Sequence, residues 1–550
     1  MAELNLNTLI LQLRTDLREH LGEASHESSA AYLAWLLTNG LHEYPALRQN
    51  QQFLSRLASQ LASLDVSHSC LTPLQFVIWQ ARPDIQALFP LPDQLMSFYQ
   101  WFYTYGLEDY NYWFFLSERE KNIVKRIPAP WPARLNSIIA PNTPPEEPKI
   151  PFSKRPFGVN LIGYAFGQLG IGEDVRMAAR AFLSANVPMT MLNFPPGSDV
   201  PQNDRSMEHY VSEQGPFGFN IFCMTAEEHG RFYLNCGESQ LQDRYTIGYW
   251  PWELGNWPKN WEMMLEFVDE VWVSTRHIYD ALTPVCHKPL MVMPMTVELG
   301  SITRFSSRKR AREHFGLPET AKLFCFSLDL KSYFQRKNPQ ACIDAFLAAF
   351  PTDQYTEKQV GLVIKAHKPA MKDLNWERLK KLAARDKRIK IIEGTLSRPD
   401  LLALYQACDC FLSLHRAEGF GRGIAEALQL GLHVITTGYS GNVDFCNAPH
   451  ADLVRYRLIN VEKGQYPYPD GQVWADPDIS HAAELMCRFV QGRKSAIKKT
   501  DWPEFSAGEV GQRYKTRLEV IYDEKLRVSG NTLASFTAKI VTPEQTDKAM

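Results

Sequence analysis

From Gly158 onward the chain alternates short apolar runs with helical segments, and it does so twice over. Residues 158–163 (GVNLIG) read as a buried strand and 173–185 as a helix, with further strands at 219–223, 246–250 and 270–273. The pattern restarts at 322–327 (KLFCFS), with a helix over 339–350 and strands at 361–365, 389–392, 410–413 and 433–436. Strand and helix alternation implies a parallel, doubly wound α/β sheet covered by helices. Two successive units predict two Rossmann-like domains facing a cleft. Ligands in such sheets bind beyond the carboxyl ends of the strands.

The rest of the chain has a different texture. Residues 1–127 read as a helical module, because Leu6, Leu9, Ile10, Leu13 and Leu17 recur at helical spacing and residues 32–37 (YLAWLL) begin another apolar segment. Two aromatic stretches, 98–105 (FYQWFYTY) and 110–115 (YNYWFF), suit a helical core or a surface for sugars or partners. Residues 128–155 are rich in proline, with Pro128, Pro130, Pro132, Pro141, Pro144, Pro145, Pro148 and Pro151. Proline fits neither helix interiors nor central strands, so this stretch is expected to be an extended linker. The two lobes are assigned to 156–305 and 306–500, a C-terminal helix to 501–527 and a loosely ordered tail to 528–550.

Composition excludes several classes. A length of 550 residues suggests about three or four domains. A formal charge of −2 gives no general attraction to nucleic acid. No apolar run reaches the roughly 18 residues that span a bilayer. Residues 1–20 carry Glu3, Arg14 and Asp16 among the leucines and lack a signal-peptide layout. The expected location is therefore cytoplasmic, with peripheral attachment to the inner face of the cytoplasmic membrane left open. The ten cysteines show no C-x-x-C pair and read as reduced, mostly core thiols.

Three segments carry chemistry. The first, 167–173 (GQLGIGE), follows the first strand, and Gly170 and Gly172 let backbone approach a ligand at a helix start. A tight strand-to-helix turn would use the same glycines. The second is Arg336-Lys337-Asn338-Pro339, just before a helix. Adjacent cations oppose the helix dipole there unless an anion such as a diphosphate occupies the space. In the third, a buried strand runs through residues 410–417 into Glu418-Gly419-Phe420-Gly421-Arg422-Gly423, and a helix then carries Glu426. The glycines open backbone N–H groups to a diphosphate, and the two carboxylates can accept hydrogen bonds from sugar hydroxyls.

The segment 415–431 (HRAEGFGRGIAEALQLG) resembles the E-x7-E element of the retaining GT-B glycosyltransferases of family 4, the glycosyltransferase group 1. Residues 163–173, 248–254 (GYWPWEL), 334–339 (FQRKNP) and 474–478 (WADPD) are similar to stretches of its bacterial surface-polysaccharide members. The resemblance covers roughly residues 156–525 and implies two Rossmann-like lobes enclosing a nucleotide-sugar. By position it implies that Glu418 contacts the donor sugar, Glu426 the ribose and Lys337 the diphosphate. Gly419, Phe420 and Gly421 would lie along the donor, with Gly170 and Gly172 facing its phosphates. Many members carry Gly-Arg where this chain has Leu328-Asp329, so Arg336 or Lys331 would supply the second cation.

The activity implied is metal-independent, retaining transfer of a hexose, with GDP-mannose as a guess at the donor. The NDP-sugar would be a co-substrate, and no cofactor is expected. The acceptor would be a glycan or a polyprenyl-diphosphate-linked glycan in polysaccharide biosynthesis. Glu253 and the group Glu227-Glu228-His229 are candidates for an acceptor base. Residues 1–127 are candidates for docking to a membrane-bound acceptor or to another glycosyltransferase. The competing reading is a non-catalytic GT-B scaffold or glycan-binding protein that works through its aromatic N-terminal module.

Overall fold

The computed structural model describes residues 5–107, 112–124, 126, 150–195, 200–237, 240–300, 304–367, 373–446, 451–492 and 503–528. Most of the proline-rich stretch, and the tail from 529, lie outside them. The N-terminal region is helical, including α1 (Leu6–Leu13), α2 (Gln51–Ala62) and α3 (Pro73–Ala81). Polar residues start each helix: Asn5 and Asn50 accept main-chain N–H bonds, and Thr72 forms a capping box with Gln75. The aromatic stretch is largely core, because Phe98, Phe102, Tyr112 and Trp113 are buried, while Tyr105 and Phe114 are exposed.

The first lobe is a six-stranded parallel sheet in the order β2-β1-β3-β4-β5-β6. Its strands are β1 (Val159–Gly163), β2 (Met189–Asn193), β3 (Phe219–Cys223), β4 (Tyr245–Tyr249), β5 (Glu270–Val273) and β6 (Leu290–Val292). Both faces of β1, β3 and β4 are buried, which accounts for their near-continuous apolar runs. Helix α4 (Gly170–Ser184) follows β1, and α5 (Ala226–Cys236) follows β3. The N-terminal helices pack on this lobe and share one continuous core with it, joining Leu9 and Ile10 to Leu234, Trp250, Trp261 and Met264. The module is thus built onto the first lobe by apolar contact.

The second lobe contains β7 (Lys322–Asp329), β8 (Val360–His367), β9 (Ile389–Glu393), β10 (Cys410–Ser413), β11 (His433–Thr437) and β12 (Ala451–Val454). They form a parallel sheet in the order β12-β11-β10-β7-β8-β9. The winding reverses between β7 and β10, which opens a crevice at their carboxyl ends. Around it stand α6 (Pro339–Ala349), α7 (Arg398–Ala407), α8 (Arg422–Gln429) and α9 (Ile479–Val490). An antiparallel hairpin, β13 (Tyr456–Asn460) and β14 (Val473–Pro477), extends towards the first lobe.

The expected two-lobed α/β architecture, with a helical N-terminal region, is the one observed. Helix α10 (Ala507–Val528) returns to the first lobe, where Tyr514 Oη donates to the Pro294 carbonyl at 2.8 Å and Arg517 pairs with buried Glu270 at 2.6 Å. No described helix is long and apolar enough to cross a membrane.

Candidate functional site

A cavity of about 740 Å³ lies between the lobes, beyond the carboxyl ends of β1, β7 and β10. Its lining includes Gly170, Glu253, Arg336, Lys337, Glu418 and Gly421. The charged centre is built at the switch point of the second sheet. Arg336 and Lys337 stand on a single helical turn, Phe334–Lys337, that ends at Asn338 in the left-handed conformation (φ 49°). Asn338 tolerates this geometry and donates its side-chain amide to the Leu414 carbonyl at 3.0 Å, tying the turn to β10.

Both cations reach Glu418. Lys337 Nζ donates to Oε1 at 2.5 Å and Arg336 Nη1 to Oε2 at 3.1 Å. Arg336 also donates to the Ala417 carbonyl at 3.0 Å, and its Nη2 stands 3.7 Å from Glu253 Oε1. Burial alone would raise the Glu418 carboxyl, but Lys337 and Arg336 outweigh it and hold the group down at about 2. The loop is fixed from below as well. Ser440 Oγ accepts from the Glu418 N–H at 2.8 Å, and Thr275 of the first lobe donates to the Gly419 carbonyl at 2.7 Å. His415 is buried between Ser413 and Asn442, and burial pushes its imidazole down to about 4, so it sits there neutral.

The glycines of this segment are required by close approach. A Cβ on Gly419 would fall 2.5 Å from the Trp252 carbonyl of the first lobe, and Gly421 has φ +91°. On the other side, a Cβ on Gly172 would meet the Gly167 carbonyl at 2.2 Å, whereas Gly170 faces open space. Of these two, Gly170 lines the cavity and Gly172 packs the turn. Phe420 is buried against Phe445 and Phe505.

Glu426 is 2% exposed and accepts a 2.6 Å bond from Arg398; it does not line the cavity. Arg398 Nε also stands 3.7 Å from Glu173 at the start of α4. Beside it Arg422 binds Asp174, a further ion pair between the lobes. Glu253 receives the Tyr466 hydroxyl at 2.5 Å, and Glu227 receives Trp261 Nε1 and the Tyr468 hydroxyl at 3.2 and 3.0 Å. His229 is fully buried, stacked on Phe222 at 3.5 Å, and is not among the cavity lining.

Arg398, Arg422, Asp174, Ser440 and the tyrosines of the hairpin tip escaped sequence reasoning. One pattern bears on them only in the fold: among the described residues, non-glycine positive φ occurs at Tyr333, Asn338, Ser440 and Tyr468 around this site, and elsewhere at Asn186 and Asp243. Strained backbone of this kind costs about 1–3 kcal/mol per residue and gathers at functional sites.

The chain is similar to known glycosyltransferases in sequence and in structure. No match was found among curated proteins. Among solved structures, a glycosyltransferase from Rickettsia africae aligns over 68% of this chain and 99% of its own, at 13% identity and a TM-score of 0.46. Sucrose-phosphate synthase from Thermosynechococcus elongatus aligns over 68% and 98%, at 14% identity and a TM-score of 0.44. Anabaena HepE in complex with UDP and glucose aligns over 68% and 100%, at 12% and 0.43. Residues 307–450, the part of the second lobe that supplies Arg336, Lys337 and the Glu418–Glu426 segment, match the family model of glycosyl transferases group 1.

Proposed function

We propose that the chain is a retaining hexosyltransferase that moves a sugar from a nucleoside-diphosphate donor to a glycan or lipid-linked glycan acceptor. The observation that carries this reading is the convergence of Lys337 and Arg336 on Glu418 at the switch point of the second sheet, inside the cavity. Two fixed cations and the uncapped start of α8 suit a diphosphate, and a carboxylate between them suits a sugar hydroxyl.

In this mechanism the bond from the anomeric carbon to the diphosphate oxygen breaks, and its electron pair leaves with the diphosphate. Lys337 and Arg336 stabilise that charge as it develops, which is where fixed cations contribute most. The acceptor oxygen attacks from the same face, and its proton passes to the departing phosphate oxygen. These cations take on the neutralising work, and no metal step is invoked. Glu253, bonded to Tyr466 and facing Arg336, orients the acceptor side. Glu426 stands outside the cavity lining, so the ribose role that its place in the segment implies requires its bond from Arg398 to be exchanged for one from a hydroxyl. Mannose, carried by GDP, is the first donor to test.

The test is a transfer assay with a panel of nucleotide-sugars and an NMR assignment of the product anomer. Retention in the wild type and loss of transfer in folded Lys337→Ala and Glu418→Ala proteins support the reading. Undiminished turnover in both variants sinks it.

A further inference from the structure

Of the strained residues, Tyr333 lines one corner of the cavity and Tyr468 stands just behind it. Tyr333 (φ 62°) is 43% exposed and packs edge-on against Tyr466, with ring centroids 4.7 Å apart. Tyr468 (φ 51°) lies two residues beyond Tyr466, at the tip of the β13–β14 hairpin. A bulky side chain at positive φ persists only where its surroundings hold it. Tyr333 is held by Tyr466 of its own lobe, and the hairpin that carries Tyr466 and Tyr468 is held in turn by the other lobe. Tyr466 binds Glu253, and Tyr468 binds Glu227 and packs on Trp261 at 5.6 Å. The Gln472 side-chain amide anchors the same hairpin loop: it accepts from the Asn256 N–H at 3.2 Å and donates to the Asn256 carbonyl at 2.8 Å.

The hairpin of the second lobe therefore completes a wall of the first. At this corner the cavity lining combines Glu227, Glu253, Trp261, Tyr333 and Tyr466. Aromatic faces receive the C–H faces of a sugar ring, and carboxylates accept strong hydrogen bonds from its hydroxyls. Both bonds that Glu227 receives fall on Oε2. An acidic sugar would bring a like charge against two carboxylates, and such contacts discriminate by repulsion.

We propose that Glu227, Glu253, Trp261, Tyr333 and Tyr466 form a subsite for an uncharged, hydroxyl-rich sugar ring of the acceptor, with Tyr468 as the positioning residue for Glu227. The proposal rests on the transfer reading and adds the acceptor's chemical class and the role of the hairpin tip.

Saturation-transfer NMR on the full chain, with UDP or GDP present, tests it. The probes are the methyl glycosides of glucose, mannose and galactose, and methyl glucuronide. At least one neutral glycoside should receive saturation, and the glucuronide about fivefold less or weaker still. Glu227→Gln and Tyr468→Phe should each cut the glycoside signal about threefold or more while the nucleotide signal persists. Absence of every neutral glycoside, equal saturation of the glucuronide, or unchanged signals in both variants overturns the subsite while leaving the donor reading intact. A wild-type chain that saturates neither nucleotide instead contradicts the transfer reading on which the subsite rests.

Discussion

Lys337 and Glu418 are 81 positions apart, yet Nζ and Oε1 meet at 2.5 Å inside the inter-lobe cavity. The contact depends on β7 and β10 being neighbours, so it exists only in the folded sheet. Glu418→Gln keeps the shape of the side chain and removes its charge. We expect transfer to fall about 10²- to 10³-fold, the range for losing one organised electrostatic partner, with circular dichroism unchanged. Initial rates against the nucleotide-sugar check this.

Arg422 and Asp174 join the lobes at the start of α8 and α4. Removing one member leaves the other without its partner in a largely buried place. Arg422→Met should therefore cost about 3–5 kcal/mol, read as a lowered urea midpoint. The double change Arg422→Met with Asp174→Asn should recover most of that loss. A double variant as unstable as the single one would place the energy in packing rather than charge.

The glycines divide by what surrounds them. A Cβ on Gly511 would lie 2.0 Å from the Ala181 carbonyl oxygen, so Gly511→Ala must push α10 away from α4. The expected loss is about 1–3 kcal/mol. Gly170 has nothing within 4 Å of a Cβ, so Gly170→Ala should leave the thermal midpoint nearly unchanged. Calorimetric melting of both variants checks the contrast.

Two buried histidines make the fold acid-sensitive. Burial pushes His229 down to about 3 and His415 to about 4, against an ordinary value of 6.5. Between about pH 4 and 6.5 the unfolded chain binds more protons than the folded one, so stability falls as pH drops through this window. The contribution is on the order of 3 kcal/mol per histidine at full protonation of the unfolded state. Glu418 acts lower: its contribution is present above 4.5 and is lost as pH falls towards 2. His229→Leu should flatten the drop in melting temperature between about pH 7 and about pH 5.

Much of this was legible in the linear chain. Strands β1, β3, β7, β8, β10 and β11 are buried on both faces, so their apolar runs stand out, and the glycines after β10 mark the loop that meets the first lobe. The short edge strands β6 and β12, and the hairpin β13–β14, lack that signal because they are only partly buried. Arg336 and Lys337 drew attention by their charge at a helix start. Arg398 and Tyr468 did not, since what each contributes comes from partners 28 and 241 residues away. The docking of the N-terminal helices was hidden for the same reason, because the apolar face of α1 carries no mark of what it packs against.

In the proposed transfer Lys337 and Arg336 hold the diphosphate of the nucleotide-sugar, and Glu418 takes a hydroxyl of its sugar. Isothermal calorimetry of UDP and GDP against the wild-type chain and Lys337→Ala tests it most directly. Saturable binding of at least one nucleotide by the wild type, weakened about tenfold or more in the variant, is the expected result. Equal affinity in both proteins, or no binding of either nucleotide by the wild type, would contradict it.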